Sequence, residues 1–279
     1  MQMYVTKADG TLEQLDYSKI KRALVRAGAN SALVNEVIES IEPKITQNIS
    51  TQKIYRLAFD ALKEMRPAVA SRLGLKNALI KLGPDGYPFE TFMGSLLKGR
   101  GYETQLRQII WGRCINHEVD VIATRKSMES EHIVKSMVEC KFHNSVHLKC
   151  HIQSALYTWA RFLDIKENDK TVDCAWLATN TKFSGDVIQY SDCVGLKLLG
   201  WSFPQSESIQ IRIEENKLYP ITILPKLDRM TFDRLHKIGI ITLKELVNSE
   251  ERDLETIGIT KNNITKLKED AEKILSKRK

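Results

Sequence analysis

Between positions 116 and 142 the chain alternates apolar and polar residues twice, through His117-Glu118-Val119-Asp120-Val121 and again through Met137-Val138-Glu139-Cys140-Lys141-Phe142. A period of two marks a half-buried strand, and the polar stretch 125–131 between the runs supplies a reversal, so two neighbouring strands follow. Side chains two positions apart share a face. Glu139 and Lys141 therefore point one way and Cys140 the other, with Asp120 beside Glu139 on the adjacent strand. Paired carboxylates suit a hard, oxygen-seeking cation such as Mg²⁺, and a neighbouring lysine orients a water or stabilises charge on a phosphate. The same residue types also serve as solvated positions on a half-exposed hairpin, so the chemistry rests on what flanks them.

After Lys141 comes a polar loop, then a helical run over 148–163 in which Gln153 and Tyr157 stand four apart and share a face. Taken with Asp120 and Glu139-x-Lys141, these features resemble the PD-(D/E)xK nuclease superfamily, and its Mrr-type restriction endonuclease branch in particular. The resemblance extends from about Tyr87 to Trp201. It takes in an entry strand at Gly101-Tyr102-Glu103-Thr104, a strand at Ala175-Trp176-Leu177-Ala178-Thr179, a helix over 186–194 and a strand at Leu196-Lys197-Leu198-Leu199. It implies Asp120 and Glu139 as ligands of Mg²⁺ or Mn²⁺, Lys141 as the catalytic lysine, and Gln153 and Tyr157 as supporting residues near the metal or the DNA. Glu90, on the first helix, is the acid that would join them, against the plainer reading of a charge favoured at a helix start. Glu118 shares a strand face with Asp120 and stands as an alternative carboxylate.

At the amino terminus, Val5-Thr6-Lys7-Ala8-Asp9-Gly10-Thr11-Leu12-Glu13 reads as two short strands joined at Asp9-Gly10, a pair suited to the positive φ of a tight turn. One helix begins after Asp16 or Ser18 with Ile20, Ala23, Leu24 and Ala27 on one face. Another is capped by Thr51 and carries Ile54, Leu57, Ala58, Ala61 and Leu62. Over 1–83 this arrangement resembles an ATP-cone, a regulatory nucleotide-binding module. The resemblance implies Val5 on the base side, Lys7 and Lys19 on the phosphates of ATP or dATP, and Lys81 adding positive potential. Lys7-Ala8 replaces the usual Lys-Arg pair, which removes one cation. Gly99-Arg100-Gly101 lacks the downstream Gly and Lys-Ser/Thr of a phosphate-binding P-loop, so a nucleotide would be sensed and not used by a motor.

The remaining features bound the class. Lys and Arg total 42 against 35 Asp and Glu, a net charge of +7 and a modest pull toward polyanions. Five cysteines without a Cys-x-x-Cys pair indicate reduced thiols and a cytoplasmic location, and no apolar run is long enough to span a bilayer. His143, His147, Cys150 and His151 would share a face on a continuous helix and hold Zn²⁺ there, which keeps a zinc-stabilised interaction protein as an alternative. Residues 203–223 read as a connector with a short strand at 209–213. Residues 224–279, with glycine turns at Gly239 and Gly258 and a basic end at Lys277-Arg278-Lys279, resemble a helix-hairpin-helix module that grips phosphate through backbone amides.

The expected architecture is thus an α/β multidomain chain: a mostly helical cone with a β-hairpin over 1–83, a mixed-sheet α/β nuclease core over 84–202, the connector, and an all-helical carboxy-terminal domain over 224–279. The stiff segment Gly83-Pro84-Asp85-Gly86-Tyr87-Pro88 would join cone to nuclease. The expected function is metal-dependent hydrolysis of double-stranded DNA, regulated by ATP or dATP in a homo-oligomer, as in restriction or defence. The other expectation is a catalytically inactive, nucleotide-responsive DNA-binding regulator.

Overall fold

The computed structural model describes residues 2–7, 9–127 and 131–276. The basic end at 277–279 and part of the 125–131 reversal lie outside them. The chain divides into two units, one made of Met1–Leu75, Ile223–Lys226 and Thr260–Lys279, the other of Lys76–Thr222 and Leu227–Ile259.

In the first unit, β1 (Tyr4–Thr6) pairs antiparallel with β2 (Leu12–Gln14), followed by α1 (Tyr17–Arg26) and α2 (Ser31–Ile41). Then β3 (Ile49–Ser50) pairs parallel with β1, and α3 (Thr51–Met65) and α4 (Pro67–Leu73) follow. Gly10 takes a φ of +84° between the paired strands, the conformation for which glycine carries no penalty. Asp16 caps α1 by accepting from Ser18 N at 2.8 Å. The cap of α3 is Ser50, which accepts from Lys53 N at 3.1 Å, and Thr51 is the first helical residue. Sequence alone could not separate two adjacent hydroxyls; the parallel pairing that ends at Ser50 decides the start, and such a cap is worth about 1 kcal/mol. Leu24, Val37, Ile41, Ile54, Ala58 and Leu62 form the core at helical spacing.

The second unit begins with α5 (Leu75–Ile80), whose first residue belongs to the other unit, and α6 (Tyr87–Lys98). Its sheet uses β4 (Glu103–Trp111), β5 (Asn116–Lys126) and β6 (Ile133–Lys141), then, past the short β7 (Lys149–Cys150) and α7 (Ile152–Asn168), β8 (Val172–Thr179). After the short β9 (Lys182–Phe183) and α8 (Gly185–Val194), β10 (Lys197–Leu199) completes the strand order β10-β8-β6-β5-β4. The last three are antiparallel and the first three parallel, with α7 and α8 as crossovers. Met137, Ala155, Phe162, Ile165 and Leu177 bury α7 against the sheet, while Phe89, Phe92, Met93 and Leu96 of α6 are fully buried. Gly94 lets α6 approach β4 closely; a Cβ there would come within 2.8 Å of Leu106.

Three expectations change. Residues 209–213 belong to α9 (Ile209–Asn216), not a strand. Ser208 caps it, and the buried positions Ile209, Arg212 and Ile213 have helical spacing although Ile209-Gln210-Ile211-Arg212-Ile213 alternates by eye. The first boundary falls at Leu75, not at 83. Leu79 and Leu82 are fully buried in the second unit, and Gly83 is packed so closely that a Cβ would meet Asn144 at 2.5 Å and Phe142 at 2.6 Å. The segment 83–88 is therefore built into that unit and is not a free joint. The described residues of 224–279 are divided between the two units. Helices α10 (Arg229–Lys237), α11 (Leu243–Asn248) and α12 (Glu251–Thr256) belong to the second unit, and α13 (Lys261–Leu275) belongs to the first, where it packs on α4 and Arg72 donates to Ile274 O at 2.8 Å.

Candidate active site

The ladder between β5 and β6 is paired from Lys126↔Ile133 to Val121↔Val138 and stops there. The next residues along it are Asp120 and Glu139. At this divergence the Asp120 carboxylate accepts from Cys140 N at 2.6 Å, taking a backbone donor that the ladder no longer uses. Glu90, buried in the first turn of α6, joins the same cluster, as does Lys141 at the exposed end of β6. The structure thus brings together Glu90, Asp120, Glu139 and Lys141. Glu118 is exposed but close enough to push the Asp120 carboxyl upward.

The electrostatics of this cluster are those of crowded acids. Burial, then the Asp120 charge, raise Glu139 to about 7, against the opposing pull of Arg161 and Lys141. Burial and Asp120 likewise raise Glu90 to about 7, with Arg107 pulling the other way. Burial also raises Asp120, and the Cys140 N–H offsets part of that. Such groups favour the protonated folded state, so their contribution to stability is present below about 4.5, where the unfolded carboxyls also hold protons, and is lost as pH rises through about 7. In metal-free buffer the thermal midpoint should therefore fall between pH 5 and pH 8, and Glu139→Gln should flatten the profile. A calorimetric melting series over that range checks it; a midpoint that rises with pH would show the carboxyls ionised without strain.

Two side chains that the sequence reading did not single out hold the site. Arg161 on α7 is buried; it ion-pairs with Glu139 Oε2 and donates to the Glu118 carbonyl. Tyr157, one turn earlier and exposed, stacks under the Arg161 guanidinium at 5.2 Å, so it reaches Glu139 through that arginine. Gln153 is exposed one turn before Tyr157. The signal for Arg161 was its place four residues after Tyr157 on the Gln153-Tyr157 face. The second is Arg107, whose Nη1 lies 3.3 Å from Glu90 Oε2.

The zinc alternative does not form. Residues 143–151 are loop and the short β7, so there is no continuous helix to align His143, His147, Cys150 and His151, and Cys150 is buried. His143 instead lies near Lys141 and is held below its usual range by burial, by that lysine and by His151. Among the described residues no group of three or more His, Cys, Asp and Glu side chains is arranged to hold a metal. What the site offers is a pair of oxygen donors, Asp120 and Glu139, both raised above the usual carboxylate range chiefly by burial. That donor chemistry fits a hard cation that keeps most of its waters.

The helix-hairpin-helix turns are differently employed. Gly239 and Gly258 have φ values of +82° and +81° and close the ends of α10 and α12, with Ile240 N donating to Leu235 O and Ile259 N to Leu254 O. Arg234 occupies the second turn, donating from Nη1 to Gly258 O at 2.6 Å.

The first unit has a cavity of about 270 Å³ lined by Val5, Glu13, Asp16, Lys19, Ile20, Ile54 and Tyr55 among others. Val5 is buried at its floor, and Tyr55, its hydroxyl donating to Leu73 O at 2.8 Å, is pushed up to about 12 by burial. Lys7 and Lys19 both pair with Glu13, Lys7 at 2.7 Å, so one carboxylate holds the two lysines together beside the cavity. Lys81 belongs to the second unit, where α5 after Leu75 is built into the core.

Comparison with known proteins agrees with the boundary at Leu75, while the carboxy-terminal match runs across both units. A family model for the ATP cone domain matches residues 3–74, and a model described as AF1548-like, C-terminal, matches 219–275. An "Uncharacterized protein" of Archaeoglobus fulgidus is 37% identical over 183 residues, spanning 66% of this chain and 99% of the relative. A solved structure described as "Crystal Structure of Protein of Unknown Function AF1548" aligns with a TM-score of 0.60 and 35% identity, over 68% of this chain and 98% of that one. The chain belongs to the AF1548-like family, and it carries an ATP cone domain at its amino terminus.

Proposed function

We propose that the chain is a metal-dependent DNA endonuclease whose activity responds to ATP or dATP bound at the cone. The observation that carries the reading is the divergence of β5 from β6 at Asp120 and Glu139, with Lys141 two residues on and Glu90 brought in from α6. A mixed α/β sheet is also what the PD-(D/E)xK resemblance implies. Asp120 and Glu139 would hold Mg²⁺ or Mn²⁺, which supplies Lewis-acid charge to the phosphate and to the attacking water. Lys141 places a compact positive charge where negative charge grows on the phosphate oxygens. Arg161 fixes the Glu139 rotamer, and Tyr157 fixes Arg161. The basic balance of the chain favours a polyanionic substrate. The purified chain should convert supercoiled plasmid to nicked or linear DNA in Mg²⁺, at a rate that ATP or dATP changes. Plasmid left supercoiled under all these conditions contradicts the proposal.

One observation favours a second reading, a nucleotide-responsive DNA-binding regulator: Arg161 neutralises Glu139 without any metal. Plasmid that is bound and never cut would support it.

The cone's part can be measured separately. Lys7→Ala with Lys19→Ala should weaken ATP or dATP binding by roughly tenfold or more, since two charge-assisted phosphate contacts are lost, while cleavage without nucleotide stays at the parental rate. Isothermal calorimetry reads the first and the plasmid assay the second. Unchanged binding would remove both lysines from the phosphate site.

A further inference from the structure

Arg107 has a backbone conformation that its strand gives no reason for. Strand β4 stays in register with β5 on both sides of it, Leu106 opposite Val121 and Gln108 opposite Val119, so no residue has been inserted and Arg107 stands opposite Asp120. Yet its φ is +51°, in the left-handed region that non-glycine residues avoid, in the middle of a nine-residue strand. The interruption is patched locally: the Gln108 side chain donates to Leu106 O at 2.7 Å. Strained backbone of this kind persists where the surroundings over-determine it, and such residues cluster at working sites. Here it falls directly across the sheet from a carboxylate of the candidate active site.

The side chain is placed accordingly. Its Nη1 approaches Glu90 Oε2 at 3.3 Å and Thr91 Oγ1 at 3.5 Å, and its guanidinium lies 5.8 Å from the centre of the Tyr87 ring. Thr91 Oγ1 is in turn 3.1 Å from His236 Nε2. These arginine contacts are long for charge-assisted bonds, which close to about 2.7–2.9 Å. Among the described residues its hydrogen bonds run from Nη1 alone, and a third of the side chain is exposed. A guanidinium has five donors in a planar fork that matches two oxygens of a phosphate. This one is tethered by an edge and open beside Asp120.

We propose that Arg107 is a substrate ligand, gripping non-bridging oxygens of the phosphodiester at the Asp120–Glu139 site; this rests on the nuclease reading above. It makes the substrate class a phosphodiester anion held by the protein's own cation as well as by Lys141. The strained φ holds the guanidinium at the site without substrate, so less ordering remains to be done on binding. A purely structural arginine, serving only to offset Glu90, would need no such strain.

Glycine at this position separates the two roles, because it adopts a φ of +51° freely while removing the guanidinium. The full chain with Arg107→Gly should remain folded by calorimetry and cleave plasmid at least about 10²-fold more slowly. In a Lys141→Ala background, assayed without divalent metal so that the duplex stays intact, its binding to a short duplex should lose about 0.9 from the slope of log K against log salt, the share of one phosphate contact. Arg107→Lys keeps the charge but not the fork, so it should retain the salt slope and still lose about tenfold or more in rate, which serves if the glycine variant does not fold. Parental cleavage by either variant, or an unchanged slope for Arg107→Gly, overturns the assignment and leaves the nuclease reading standing. A parent that neither binds nor cuts DNA overturns both.

Discussion

The Lys141→Ala protein should cleave DNA about 10²–10³-fold more slowly than its parent while binding it almost as well. Removal of one preorganised group that meets charge developing in the transition state has this cost. Lys141 lies at the exposed end of β6, next to the carboxylate cluster, and its charge is among those that draw the Glu139 carboxyl down. Binding is spread over many phosphate contacts, so loss of one lysine there is small. Single-turnover cleavage with enzyme in excess separates the two effects. A rate within threefold of the parent would take Lys141 out of the chemistry.

The second large effect is on stability. Arg161→Met should lower the stability of the sheet unit by about 3–5 kcal/mol, because it leaves one member of a buried ion pair without its partner. Arg161 is buried, its guanidinium meets both Glu139 Oε2 and the Glu118 carbonyl, and the Glu139 side chain is 16% exposed. At about 2–4 °C per kcal/mol for a unit of this size, the thermal midpoint should fall by roughly 6–20 °C. Adding Glu139→Gln to Arg161→Met should recover much of the loss, since the remaining group is then neutral. A single variant that melts with the parent would mean that Glu139 is already protonated and that the arginine offsets nothing.

The central part of the fold was legible because its residues obey local rules. Strands β5, β6 and β8 alternate or run apolar as buried strands must, and the four-residue spacing of Gln153 and Tyr157 found the face of α7 from which Arg161 also projects. The pairing of Asp120 with the Glu139 region followed from the same alternation. What local pattern misled was α9, where Ile209-Gln210-Ile211-Arg212-Ile213 alternates like a strand but a Ser208 cap and the burial of Ile209 with Ile213 make a helix. The unit boundaries were hidden for a different reason. Proline and glycine at 83–88 look like a linker, but whether such a segment is free depends on what packs on it, and Phe142 and Asn144 pack on Gly83. Likewise α13 has the composition of a neighbour to α12, and only its contacts with α4 assign it to the first unit. Arg107 was invisible because a positive φ inside a strand leaves no mark in sequence.

The claim that Asp120 and Glu139 form a metal-dependent phosphodiesterase site is tested most directly by an end-labelled duplex followed over time with the parental chain and with Asp120→Asn, each in Mg²⁺ and in chelator. The account predicts cleavage by the parent in Mg²⁺, none in chelator, and none by Asp120→Asn purified identically and folded by calorimetry. Equal cleavage by Asp120→Asn, or a parent that never cuts the duplex in Mg²⁺, would contradict it.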